Sequence, residues 1–324
     1  MDVFPGAAGP QPYLLTFGET MALMAAEQLG PLAHATSMRI GIGGAESNVA
    51  IGAQRLGTQA VWCSRLGDDA LGRRVERDIR AEGVDTRVTV DDSAPTGLMI
   101  KERRTANAQR VSYYRAGSAA SKITLADVGE DRIARAALLH VTGITPALSA
   151  QAAATVRAAV AVARAHRVPV SLDFNYRRAL WSAADAGAFY RELLPSVDLV
   201  FAGEDEAAIA IPDAADAAEL ARRIEALGPR QVVIKRGAAG AFAVIDGQTY
   251  SQPAVAIEAV DTVGAGDAFV AGYLAEYLGQ RPPEVRLSTA ATVGAFACLV
   301  PGDWEGLPTR DELGLLAASD PVTR

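Results

Sequence analysis

From Tyr13 onward the chain alternates short apolar runs with stretches of helical period, and this rhythm limits its possible folds more than any other feature. "YLLTFGE" reads as a strand, Glu46–Leu56 as a helix, "AVWCSRLG" as a strand and Ala70–Glu82 as a helix. The order returns in the strand "LLHVTG", an alanine-rich helix from about Ser149 to His166, and the strand "VPVSLDFN". "VDLVFA" and "QVVIKRG" follow as buried strands separated by helical stretches. Such alternation predicts a doubly wound α/β fold, a mainly parallel sheet with helices on both faces. Sites in these sheets lie at the carboxyl ends of the strands. The polar ends "DFN", "AGEDE" and "KRG" fall there.

Two segments, residues 19–43 and 95–116, break the alternation. They carry strand-like pieces ("SMRIGI", "TGLMIKER", "RVSYYR") without convincing helices, and are expected to join as a small antiparallel β-sheet lid. With no internal repeat and no linker-like composition, residues 13–318 are read as a single domain with that lid. A flexible tail (1–12) precedes it and a short tail (319–324) follows. A chain of 324 residues, half of them apolar, can bury the large core this requires. The net charge of −7 gives no footprint for nucleic acid or a membrane surface. No run reaches the roughly 18 apolar residues of a membrane span, and the opening "MDVFPGAAGPQP" lacks the features of an export signal. A cytoplasmic location is expected. Cys63 and Cys298, far apart in apolar segments, read as buried thiols, and His34, His140 and His166 show no metal-ligand spacing. Only Lys101, Lys122 and Lys235 are lysines, which makes each more notable than any one arginine.

"DTVGAGDAF" (Asp261–Phe269) carries the sharpest chemical signal. The residues after it suit a helix, so Gly264 to Asp267 would form its first turn, where unpartnered N–H groups and the helix dipole favour an anion. Small residues let phosphate approach that backbone. A carboxylate beside bound phosphate is repelled, and Asp267 makes sense if it touches a hydroxyl about to attack that phosphate. On its own, the motif reads equally well as a loop with an acid at a helix N-terminus.

The surrounding motifs decide. "GGAESNVA" (Gly43–Ala50), "GDDALG" (Gly67–Gly72) and "AEGVDT" (Ala81–Thr86) precede "DTVGAGDAF" in order, and together they resemble the ribokinase-like (PfkB) family of carbohydrate kinases over residues 13–318. "PTGLMIKER", "SYYRAGSAASKIT", "HVTGITPALS", "SLDFNYRRALWS" and "PGDWEGLP" are similar, within that family, to the kinases of 2-keto-3-deoxygluconate. The resemblance implies phosphoryl transfer from MgATP to the O6 hydroxyl of an acid sugar. Gly264, Ala265 and Gly266 would offer backbone N–H groups as a preorganised anion hole, and Asp267 would orient and deprotonate O6. Gly43, Gly44 and Asn48 match the segment that binds sugar hydroxyls. Tyr113 and Arg115 share a face of a lid strand and could close over the substrate. Arg177 lies past a strand end, where it could meet a carboxylate or phosphate, and Asp303 matches a substrate contact. "KRGAAGAF" matches the loop near ATP, which assigns Lys235, Gly237 and Gly240 to the nucleotide, although a hairpin turn explains the glycines equally well. Where the family often has N-x-x-E, this chain has Gly203-Glu204-Asp205-Glu206; Glu206 is kept, with a role on Mg²⁺ through water. A monovalent cation is left open, because carbonyl ligands are not legible in side chains. The lid sheet is expected to find a partner edge in a homo-oligomer.

Two rivals accompany this reading. One is a related kinase of a neutral sugar such as fructose or ribose. The other is a non-catalytic sugar- or nucleotide-binding protein, whose expected mark, loss of the aspartate or the glycines, is absent. A dinucleotide-dependent oxidoreductase fits poorly, since no G-x-G-x-x-G follows the first strand.

Overall fold

A computed structural model describes residues 12–105 and 108–317. The expected tails lie outside these residues, apart from Pro12. In chain order the strands are β1 (Leu14–Phe17), β2 (Met21–Ala26), β3 (Met38–Gly43), β4 (Ala60–Gly67), β5 (Asp85–Asp91), β6 (Leu98–Thr105), β7 (Ala108–Tyr114), β8 (Leu138–Thr142), β9 (Val170–Asp173), β10 (Leu199–Gly203), β11 (Gln231–Lys235), β12 (Ala241–Ile245) and β13 (Gln248–Gln252). The main sheet runs β13-β12-β11-β10-β9-β8-β1-β4-β5. Six of its eight pairings are parallel, and only β11–β12 and β12–β13 are antiparallel.

Side-chain alternation along the central strands sorts the core onto the two faces. Leu15, Val141, Leu172 and Val200 pack with Val156 and Tyr190 of the helices Ala150–Ala165 and Ala183–Leu193. Their neighbours Leu14, Leu199 and Phe201 turn to the other face, against Phe269, Tyr273 and Leu287 of the helices Ala265–Leu278 and Pro283–Ala297. Buried on both sides, β8 and most of β10 read as continuous apolar runs, as parallel strands do. His140 interrupts the apolar run of β8, which ends in a second polar residue, Thr142. The His140 Nδ1 lies 3.0 Å from Ser171 Oγ, and burial pulls its pKa down to about 3.

The smaller sheet runs β3-β2-β6-β7. Its outer pairs are antiparallel, but β2 and β6 at its centre are parallel, which corrects the antiparallel expectation. The reason is topological. β2 follows β1 and β6 follows β5, two parallel strands of the main sheet, so both excursions leave in the same direction, and β3 and β7 are the returning strands.

Past β9 the chain turns sharply. Asn175 takes φ 37°, a left-handed conformation that asparagine tolerates better than most residues. Phe174 goes into the core, its ring stacked on Tyr190 at 4.2 Å, and Tyr190 Oη donates to Phe174 O at 2.7 Å. Tyr190→Phe removes that donor and leaves the carbonyl unsatisfied. It is expected to lower unfolding free energy by roughly 1–3 kcal/mol, read as a lower urea midpoint at unchanged m.

Candidate active site

The two sheets enclose a cavity of about 970 Å³ at the carboxyl ends of the main-sheet strands. The structure brings to its wall nearly every residue singled out in the sequence: Gly43, Gly44, Asn48, Tyr113, Arg115, Arg177, Glu206, Lys235, Gly264, Gly266, Asp267 and Asp303. Of the others, Ala265 sits in the helix's first turn without lining the cavity, and Gly237 and Gly240 are not brought there. They belong to the turn of the β11–β12 hairpin, where Arg236 N–H donates to Gly240 O at 2.8 Å. A Cβ at Gly240 would overlap Gln252 O, so backbone packing alone accounts for that glycine.

The Ala265–Leu278 helix begins where the sequence places it, with Gly264 as its N-cap. Gly264 has φ 76°, and a Cβ there would overlap Asp303 O, so both conformation and space demand glycine. Ala268 N–H donates to Gly264 O at 2.8 Å, whereas the N–H groups of Gly266 and Asp267 have no acceptor among the described residues. These are the free donors an oxyanion needs. A Cβ on Gly266 would meet only Lys235 Nζ, at 3.5 Å, which places an ammonium beside them.

Asp267 is buried, and each of its oxygens accepts from an amide. Asn48 Nδ2 donates to Oδ2 at 2.8 Å, and Asn175 Nδ2 to Oδ1 at 3.0 Å. Asn48 thus reaches the aspartate directly, while its own Oδ1 is buried and unpartnered among the described residues. Behind it, Glu46 is fully buried, and its Oε1 accepts from Thr142 and Thr145 hydroxyls, both at 2.7 Å. Burial pushes its carboxyl up to about 7.

Three cations of the cavity wall are already neutralised. Lys101 forms a buried ion pair with Asp303. Arg115, just past β7 rather than on it, holds Glu19 through Nε at 2.6 Å. Lys235 holds both oxygens of Asp173, at 2.8 and 2.9 Å. Burial opposes the Lys235 charge, but Asp173, Glu206 and Asp267 around it keep its pKa above the ordinary lysine value. Burial also pushes Asp173 up to about 6, against the pull of Lys235. Arg177 and Arg178 differ: both are exposed, line the cavity, and have no carboxylate partner among the described residues. Glu206 Oε2 accepts from Gly203 N–H at 2.7 Å and Oε1 from Tyr176 N–H at 3.1 Å, so it closes the turn that an asparagine would otherwise cap.

Sequence reasoning missed Glu19, Lys101, Asp173 and Asn175. Three had a usable signal: "DFN", which holds Asp173 and Asn175, lies at a strand's carboxyl end, and Lys101 is one of only three lysines.

The family described as pfkB family carbohydrate kinase matches residues 11–310. A protein of Haloferax volcanii named 2-dehydro-3-deoxygalactonokinase is 36% identical over 292 residues, 90% of this chain and 92% of its own. One of Bacillus subtilis named 2-dehydro-3-deoxygluconokinase is 34% identical over 303 residues, 92% of this chain and 93% of its own. Among solved structures, a PfkB protein from Polaromonas sp. superposes with a TM-score of 0.85 at 34% identity, covering 94% of this chain and 99% of its own.

Proposed function

We propose that this chain, which belongs to the pfkB family of carbohydrate kinases, phosphorylates 2-keto-3-deoxygluconate on O6, giving 2-keto-3-deoxy-6-phosphogluconate and ADP. The observation that carries the reading is the placement of Asp267 beside the free N–H groups of its own helix turn, in a cavity where Arg177 has no carboxylate partner among the described residues. Names of the relatives at 34–36% identity support the acid-sugar class.

In this reading O6 lies against Asp267, and its proton passes to the carboxylate as the oxygen attacks the γ-phosphorus. The γ-phosphoryl oxygens face the N–H groups of Gly264, Gly266 and Asp267 and the ammonium of Lys235, whereas the Ala265 N–H of the expected anion hole already donates to Thr262 O at 3.4 Å. Such preorganised donors stabilise charge that spreads over the oxygens in transfer. Asn48 Oδ1 accepts from a sugar hydroxyl, and Asp303 and Gly43–Gly44 bound the same end of the cavity. Arg177 meets the C1 carboxylate at the far end. Tyr113 and Arg115 close from the smaller sheet, which acts as a lid excluding water during transfer. ATP lies toward the β11–β12 turn with Gly237 and Gly240. The donor set suits magnesium carried in on the phosphates. No cluster of three His, Cys, Asp or Glu among the described residues is arranged to hold a metal, and both Glu206 oxygens already accept backbone N–H groups. Glu206 would therefore act on the ion through water, of which Mg²⁺ keeps several molecules. When bound, the ion would supply charge neutralisation to the phosphates during transfer.

The test is the position of the new phosphate. After reaction with ATP, phosphorus–proton coupling in the product should place it on the primary O6. A phosphate elsewhere, or no product, would overturn the reading.

A further inference from the structure

We infer that Asn175 is a positioning residue for phosphoryl transfer: with Asn48, it clamps the Asp267 carboxylate in the plane that aims it at the attacking hydroxyl. The inference rests on Asp267 being the base and extends it to a residue that acts through Asp267.

The geometry is a division of labour at one strand end. Asp173 and Asn175 are two residues apart; Asp173 turns to Lys235 and Asn175 to Asp267, while Phe174 between them enters the core. Asp173 holds the Lys235 ammonium with both oxygens, and Asn175 donates to Asp267. The two charges they manage are near neighbours: Lys235 lies beside Gly266, the residue preceding Asp267. Left unclamped, Asp267 could swing toward that ammonium, and an ion pair would take the base away from O6. The amide counters this. It occupies one lone pair of Oδ1 as Asn48 occupies one of Oδ2, leaving the others for the substrate. Asn175 is also buried and held at positive φ, between Phe174, whose N–H donates to Phe201 O, and Tyr176, whose N–H donates to Glu206. A conformation of this kind persists where the surroundings enforce it.

Two substitutions separate positioning from scaffolding. Asn175→Gly removes the amide yet suits the left-handed backbone, so the fold should survive, checked by a melting midpoint near the wild type's. Its kcat should fall on the order of 10²-fold, the loss expected for a misaimed reacting group, with KM for sugar and ATP little changed. Asn175→Asp supplies a carboxyl that can donate to Asp267 only when protonated. The charged groups around it are Asp173, Glu206, Lys235 and Asp267, and the Asp267 charge in turn reaches Glu46 and Asp303. The ratio of its kcat to that of the wild type should therefore fall as pH rises, a dependence the glycine variant lacks. A folded Asn175→Gly with near-normal kcat, or a ratio for Asn175→Asp that is flat in pH, would overturn the clamp. Asp267→Asn serves as the reference. If it loses turnover while both Asn175 variants keep theirs, only the clamp fails; if it keeps turnover, the base reading fails and the clamp with it.

Discussion

Asp267→Asn is expected to lower kcat by roughly 10²–10⁴-fold or more, the range for loss of a general base. The substitution preserves shape and removes proton acceptance. Its surroundings make it a demanding change, because both carboxylate oxygens accept from amide groups, and an introduced NH₂ must face Asn48 or Asn175. Some loss of stability is therefore expected, and turnover must be read on protein shown to be folded by its melting transition. Steady-state ADP release supplies the rate. A folded variant with near-normal turnover would remove Asp267 from the catalytic role.

Arg177→Met should cost the acid sugar about ten- to hundredfold in kcat/KM, while weak activity on a neutral sugar stays nearly unchanged. A hydrogen bond to a charged group contributes roughly 1.5–3 kcal/mol, and each 1.36 kcal/mol is about tenfold in rate. Arg115 and Arg177 both line the cavity, and the structure distinguishes them by their partners. Arg115 is committed to Glu19, a carboxylate only 1% exposed, so its charge is largely cancelled before any substrate arrives. Arg177 has no such partner among the described residues, and its planar fork can meet both carboxylate oxygens. Kinetics on an acid and a neutral sugar measure the difference. Equal losses on both would assign Arg177 to phosphate or to general structure.

The parallel core of the fold was legible because its strands are buried on both faces and alternate with helices of clear period. The long helix expected from about Ser149 to His166 spans Ala150–Ala165, with those two residues as its caps. β5 escaped notice because its sequence, "DTRVTVD", is an edge strand with charge at both ends. The β12–β13 hairpin announces itself only through Asp246-Gly247, both at positive φ, a turn signal that lies between short and partly polar strands. Motif residues were legible wherever glycines and an aspartate sit at fixed spacing, as in Gly264–Asp267. The partners that neutralise or aim them were not. Glu19, Lys101 and Asp173 are single polar residues without periodicity, and only the fold brings them to Arg115, Asp303 and Lys235. Of the three lysines, Lys101 and Lys235 line the cavity in ion pairs, whereas Lys122 lies elsewhere with its side chain 44% exposed.

The central claim, an acid-sugar kinase, is tested most directly by kcat/KM for ADP release across 2-keto-3-deoxygluconate, its galactonate-derived epimer, fructose and ribose. A neutral sugar has no carboxylate to offer Arg177, so the acid sugars should exceed fructose and ribose by at least about ten- to hundredfold for each charged hydrogen bond that the neutral sugar cannot make. Fructose or ribose turned over as efficiently as either acid sugar would contradict the account.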